Sequence, residues 1–256
     1  MHPKLQNARG IYTVGILEGR PEEAVERFTG ARYTQHSTGV GDGPEGFVAF
    51  FTDFLERNPV RDIEIVRGLV DGNLVFLHAY QNLNHGEAQW VTMDILDTDD
   101  DDKMIEHWDV IAAYHAKTPS GRTSIDGPTE VTDLDKTDDN KAIVRAAIEN
   151  LLMRGGDLST LDEYVAEGYA QHNPEAGDGR EQFRALLEAP DRPLWYDEIV
   201  LMVGEGNFVA TLCRAHYGDQ EYAQMDLFRL EDGIIVEHWD AAEPVPSGPQ
   251  PNSGKF

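Results

Sequence analysis

Two histidine and aspartate pairs in this chain have a spacing that suits proton transfer. The string Glu106-His107-Trp108-Asp109 recurs as Glu237-His238-Trp239-Asp240, each time at the end of an apolar run. Alternate residues of a β-strand share a face, so His107 and Asp109 stand together opposite Glu106, Trp108 and Val110. His238 and Asp240 likewise stand together, opposite Trp239. Burying two ionisable groups in an apolar layer is costly unless they pair or line a cavity, so both pairs are expected to turn toward a pocket. There an aspartate has its charged form disfavoured and its pKa raised, which suits a general base near neutral pH. The neighbouring histidine can hold it, share its proton or polarise a substrate oxygen. The same spacing also suits an ion-paired cluster that simply ends the strand.

Further polar groups fall on matching positions. Trp90, Thr92 and Asp94 alternate along one run, and Tyr222, Gln224 and Asp226 match them, so an acid and an aromatic wall recur. His78 is matched by Leu212, with His216 four residues later at the same strand parity. His36 and His172 follow tyrosines in the strings Tyr33-x-Gln35-His36 and Tyr169-x-Gln171-His172. His36, His78, His107 and Asp109 are scattered and lack a tight ligand motif such as H-E-x-x-H, so no metal is expected. The chain has no G-x-G-x-x-G, Walker, G-x-S-x-G or paired C-x-x-C motif, which leaves nucleotide cofactors and serine or cysteine nucleophiles unsupported. Cys213, the single cysteine, lies in an apolar run and reads as a buried, inert thiol.

These repeats require a duplicated framework to carry them. The offset between copies is 136 at the tyrosines, 134 at Asn73 and Asn207, 132 at Met93 and Met225, and 131 at Glu106 and Glu237. Small stepwise losses are what loop deletions in the second copy produce, and a period this long is a duplicated domain with its own core. In the first copy, helices are predicted over Leu5–Leu17, from Pro21 to about Phe28, and from Pro44 to Asn58-Pro59, where Phe47, Phe50, Phe51 and Phe54 recur at helical spacing. Gly41-Asp42-Gly43 and Gly177-Asp178-Gly179 read as tight turns ahead of the third helix of each copy. Four β runs follow, at Ile63–Val70, Leu74–Tyr80, Gln89–Leu96 and Met104–Ile111. The second copy repeats the order, with helices near Asn140–Arg154, Leu158–Ala166 and Arg180–Leu187 and strands near Trp195–Val203, Asn207–Tyr217, Glu221–Leu230 and Ile234–Ala241. Three helices and an antiparallel meander make an α+β cone with a pocket between helices and sheet. The expected boundaries are 1–116 for copy one, 117–137 for a linker, 138–244 for copy two and 245–256 for a C-terminal tail.

Composition narrows the partners. A formal charge of -26 over 256 residues argues against nucleic acid and against an anionic membrane surface, since both need a basic face. No apolar stretch is long enough to span a bilayer, and Met1-His2-Pro3-Lys4 does not open a secretory signal, so a cytoplasmic location is expected. The acidic runs Asp97–Asp102 and Asp133–Asp139 fit either a solvated surface or adaptation to high salt.

Tyr33-x-Gln35-His36, Gly41-Asp42-Gly43 before a phenylalanine-rich helix, Asp71-Gly72-Asn73, Met93-Asp94 and Ile105-Glu106-His107-Trp108-Asp109 together resemble the SnoaL-like polyketide cyclases of the NTF2-like superfamily. The resemblance covers nearly the whole chain, once per copy. It implies two NTF2-like cones, and a general base on the late strand, at Asp109 or Asp240, acting in an aldol ring closure without metal or cofactor. His107 and His238 match the neighbouring histidines. A small carbonyl compound is the implied partner; a non-catalytic small-molecule binding protein on the same fold is the alternative. The resemblance also implies dimer-like pairing through the sheets. Trp108 and Trp239, turned outward, are therefore expected to pack the copies into an intramolecular pseudo-dimer. Copy one, which keeps His78, is expected to be the more catalytic.

Overall fold

Alternation of β-branched and polar residues produces long strands wherever the sequence shows it, and punctuation by Gly and Asn ends them. The computed structural model describes residues 1–190 and 194–256. The chain divides into two units, Met1–Ala113 with Pro246–Phe256, and Tyr114–Val245. Residues 117–137 thus lie in the second unit, and the segment after the last strand lies in the first.

In the first unit α1 (Pro3–Gly10) runs directly into wider π-helical turns over Ile11–Leu17. α2 (Pro21–Phe28) opens on a proline, whose missing N–H costs nothing there, with Glu22 and Glu23 facing the positive end of the helix dipole. α3 (Gly43–Arg57) carries the phenylalanine stripe, and Gly43 starts it at φ +80°, a conformation that disfavours residues with a Cβ. The strands are β1 (Thr29–Gln35), β2 (Arg61–Asp71), β3 (Leu74–Leu83), β4 (Ala88–Thr98) and β5 (Met104–Ala113), in the order β1-β5-β4-β3-β2. β1 is parallel to β5 and the rest are antiparallel.

β1 is a finding that the sequence pattern did not contain. Thr-Gly-Ala-Arg-Tyr-Thr-Gln has little β-branched content and a glycine, and it becomes a strand because the free edge of β5 supplies its hydrogen bonds. The meander is therefore a five-stranded sheet, with register shifts in β2 and between β4 and β5 of the kind that bend strands. Val75, Leu77, Ala79 and Leu83 of β3 face Ile11, Val14, Phe28, Phe47 and Phe54 in one continuous core.

The second unit repeats this plan. α4 (Thr137–Ala147) continues in π-helical turns over Ile148–Leu152, α5 (Leu161–Tyr164) is a single turn, and α6 is Arg180–Leu187. The predicted helix over Leu158–Ala166 is shortened because β6 (Val165–Gln171) begins inside it. β7 (Leu194–Glu205), β8 (Phe208–Tyr217), β9 (Gln220–Glu231) and β10 (Ile234–Pro244) complete a sheet of order β6-β10-β9-β8-β7. Each unit is an α+β cone. Cys213 is fully buried, and burial pushes its thiol well up, so it is inert as expected. Among the described residues no helix is long and apolar enough to cross a membrane.

Candidate active site

Strand register assembles the centre of the first unit's site. Asp94 on β4 and Asp109 on β5 are direct cross-strand partners, and Gln35 on β1 is opposite His107 on β5. Four polar side chains from three strands thereby share the helix-covered face of the sheet. His107 Nε2 lies 2.9 Å from Asp94 Oδ1, and its Nδ1 lies 3.0 Å from Gln35 Oε1. Tyr12, from the π-helical turns, donates its hydroxyl to Asp94 Oδ2 at 2.9 Å. Ser37 donates to Asp109 Oδ2 at 2.7 Å, and Lys255 Nζ donates to Asp109 Oδ1 at 3.2 Å.

Burial and pairing set the charges. Burial pushes the Asp94 carboxyl above the ordinary aspartate range, partly opposed by its bond from His107. Burial alone would lower His107, but the hydrogen bond to Asp94 and the charges of Asp94 and Asp109 outweigh it and hold the imidazole above the ordinary histidine value. At Asp109 burial is outweighed by the Lys255 charge, then His107 and Ser37, so the carboxyl is held below its usual range. The expected upward shift therefore occurs at Asp94 and not at Asp109, because a buried ammonium that strand alternation could not reveal stands beside it.

Above these groups lies a cavity of about 420 Å³. Phe47, Phe50, Phe51 and Phe54 of α3 wall it with Ile11, Ile16, Leu96 and Trp90, and Gln35, Gln81, Thr92, Asp94, His107 and Asp109 form its polar side. Gln35 Nε2 is buried there without a hydrogen-bond partner, whereas its counterpart Gln171 Nε2 donates to Tyr169 Oη at 3.2 Å.

The second unit reproduces the polar centre but not the space. His238 Nε2 is 3.0 Å from Asp226 Oδ1 and its Nδ1 is 3.0 Å from Gln171 Oε1. That oxygen also accepts the backbone N–H groups of His172 and Asn173, so the Gln171 amide orientation is set and His238 Nδ1 must donate to it. Burial alone would lower His238, but the hydrogen bond to Asp226 and the charges of Asp240 and Asp226 outweigh it and hold the imidazole above the ordinary histidine value. Asp240 accepts from Asn173 at 2.7 Å and Gln224 at 3.1 Å and has no lysine, and burial pushes it up. Tyr196 of β7 fills the role that Tyr12 plays in the first unit, donating to Asp226 at 3.0 Å. Among the described residues about 20 Å³ remains beside these groups, since Tyr196, Phe183, Tyr217 and Phe228 close in on them. α6 has 8 residues where α3 has 15, and it offers one buried phenylalanine in place of the aromatic stripe.

Several residues expected at the pockets stand elsewhere. His36 and His172 lie on the opposite sheet face, stacked on Trp108 and Trp239 at 4.8 and 4.6 Å between ring centres. Their Nε2 atoms face Glu106 and Glu237 at 2.9 and 3.0 Å. Both tryptophans turn away from the pocket; within the second unit, Trp239 is fully buried and donates to the Asp126 carbonyl at 2.9 Å. His78 also faces away from the cavity, 3.2 Å from Arg67 Nη1, because Gln81 and Ala79 hold the inward parity of β3. His216 does not replace it; it stacks on Trp195 and faces Asp197 at 2.8 Å. Tyr222 packs against Tyr217 outside the small pocket of its unit. Sequence reasoning missed Gln35, Tyr12, Ser37 and Lys255. Recurrence of Gln35 and Gln171 was a signal, obscured by reading their segments as loops.

Asp94, His107 and Asp109 offer ligand atoms within 4.8 Å of one another, as do Asp226, His238 and Asp240. A cation would have to displace hydrogen bonds on both histidine nitrogens and, in the first unit, compete with Lys255. This donor set does not suit a divalent ion.

Residues 144–238 match the family model described as a SnoaL-like domain. Among solved structures, a candidate polyketide cyclase from Bacillus cereus ATCC 10987 is similar at 22% identity, over 43% of this chain and 74% of that one, with a TM-score of 0.38. An LEH-like epoxide hydrolase from M. tuberculosis aligns at 18% identity over 42% of this chain and 85% of its own, with a TM-score of 0.36. An NTF2-like protein of unknown function from Cytophaga hutchinsonii ATCC 33406 aligns at 18% identity over 46% and 95%, with a TM-score of 0.35. A comparison with curated protein sequences gives no significant match.

Proposed function

We propose that the first copy of this tandem SnoaL-like chain is a cofactor-independent general acid/base catalyst acting on a small carbonyl compound, in a reaction of the aldol condensation or cyclisation type. The observation that carries this reading is the 420 Å³ cavity, whose aromatic walls end on Asp94, His107 and Asp109. Apolar walls expel water and strengthen charge interactions with a bound substrate. In the proposed step Asp109, which Lys255 keeps ionised while weakening it as a base, accepts a proton from the carbon beside the carbonyl, and the electrons of the broken C–H bond move to the carbonyl oxygen. The buried N–H of Gln35 is free to meet that oxygen, and His107, held toward its charged form by Asp94, adds positive charge beside the developing enolate. Attack of the enolate carbon on a second carbonyl then closes the new bond, and the alkoxide that forms takes the proton back from Asp109, restoring the carboxylate.

A carbonyl panel screened by thermal shift identifies ligands, because a compound that binds only the folded chain raises its unfolding temperature. With a substrate in hand, Asp109→Asn keeps the shape and removes the base, so turnover should drop by roughly a hundredfold or more. Asp240→Asn should leave turnover nearly unchanged. Equal turnover of Asp109→Asn and the parent ends the assignment. Binding without turnover in the parent favours the alternative, a small-molecule binding protein of the same fold.

A further inference from the structure

Segment 246–256 follows β10 in the chain but belongs to the first unit, and four successive residues of it are tied to the loop after β1 or to β5. Asn252 Nδ2 donates to the carbonyls of Ser37 and Val40 at 2.6 and 2.7 Å. The Ser253 hydroxyl donates to Asp42 Oδ2 at 3.1 Å, and the Gly254 carbonyl accepts from His36 Nδ1 at 2.7 Å. Lys255 Nζ then reaches Thr38 Oγ1 at 3.4 Å and Asp109 Oδ1 at 3.2 Å. Lys255 is 6% exposed, a depth at which lysine rarely sits without a paired acid. Asp109, Ser37 and Thr38 line the cavity and Lys255 does not, so its ammonium backs the carboxylate from behind.

The second unit builds the same strap from a different stretch of chain. Arg122 pairs with Asp178, the counterpart of Asp42, and the Thr123 carbonyl accepts from His172 Nδ1 at 2.7 Å. The next residue along that strap is Ser124, whose hydroxyl and backbone N–H pair with His115. Among the described residues Asp240 has amide partners only, Asn173 and Gln224, beside a space of about 20 Å³. The lysine accompanies the open cavity.

We propose that Lys255 is a positioning residue of the first unit's site, an ammonium delivered by residues 252–255 that holds Asp109 as a fixed carboxylate facing the cavity. This rests on the reading of Asp109 as a functional group. The groups that face Asp109 are Asp94 on β4, His107 on its own strand, Tyr12 from the helical turns, Tyr33 on β1, and Ser37, Thr38 and Lys255. Of the cationic ones, Lys255 has the larger effect and His107 the smaller.

The test is a carbon-13 carboxyl NMR titration of the full chain, with the Asp109 signal assigned by its loss in Asp109→Asn. In the parent, Asp109 should titrate below the ordinary aspartate range. In Lys255→Met its midpoint should rise by about one pH unit or more, and Lys255→Arg should keep it low. An unchanged midpoint in a folded Lys255→Met chain overturns the proposal. If Lys255→Met does not fold, acylation of lysines by an N-hydroxysuccinimide ester, mapped by peptide mass, decides instead. Lys255 should react about tenfold faster in Asp109→Asn than in the parent, the scale of losing one pH unit of pairing; equal rates overturn the pairing. A chain that binds no carbonyl compound but passes these tests loses the proposed function and keeps the lysine assignment.

Discussion

His107 and His238 each bridge an aspartate and a glutamine oxygen, and this arrangement links histidine protonation to stability. Both imidazoles are held above the ordinary histidine value. A group whose folded pKa is raised contributes stability that is fully present below its unfolded pKa and is lost as pH rises through the folded value. The chain should therefore lose thermal stability as pH rises from the ordinary histidine value, near 6.5, through the raised one. His238→Gln should flatten that slope, since it removes one of the two titrating bridges. The check is the unfolding temperature of both proteins across this range; parallel profiles would refute the bridging charge. Asp109 acts in the opposite direction. Its lowered value contributes stability above the ordinary aspartate pKa that disappears as pH falls through the folded value.

At the scale of elements, the Gly41-Asp42-Gly43 turn does more than reverse the chain. Asp42 Oδ1 accepts the backbone N–H of Gln35 at 2.7 Å, as Asp178 does for Gln171 at 2.8 Å, which ends β1 and β6 at the residue that meets the site histidine. α3 crosses this loop so closely that a Cβ on Gly46 would fall 2.1 Å from the Gly41 carbonyl oxygen. Backbone cannot yield there as a side-chain tip can, so Gly46→Ala should destabilise the first unit by about 1–3 kcal/mol, the usual cost of overpacking. Urea unfolding followed by tryptophan fluorescence measures it, and an unchanged midpoint would mean that the approach is looser than the geometry states. α3 must also keep its aromatic face over the cavity, so the loop that seats it governs the wall of the site.

For the molecule as a whole, duplication kept two polar centres, and among the described residues the first opens onto a cavity of ligand size while the second does not. About 420 Å³ accommodates a small organic ligand, while about 20 Å³ is room for about one water molecule. Binding should therefore saturate at one ligand per chain. Isothermal titration calorimetry with any compound found by thermal shift reads that number, and a stoichiometry of two would show that the second unit opens. The proposed function gives the working role to the first copy, but not through His78, which faces Arg67. The reason is space: a long aromatic α3 and a tyrosine placed on the helical turns leave the first pocket open, while Tyr196 on the sheet helps close the second.

The sequence by itself determined what local periodicity and recurrence can encode. Strand alternation placed His107 and Asp109 on one face and Trp108 on the other, helical spacing marked α3, and repeated motifs established two copies of an α+β cone. Parity alone put Trp90 and Asp94 on the cavity side. Tertiary structure decided whatever depends on partners distant in the chain. β1 and β6 are strands because a neighbouring edge lacked hydrogen bonds, and no propensity in their residues announced them. Whether a histidine near the site faces the pocket or a buried tryptophan depends on strand register and on straps whose pattern is irregular. The cation paired with Asp109 is Lys255, 146 residues away in the sequence. Cavity volume is the remainder left when side chains from six elements have packed, and so no pattern along the chain could specify it.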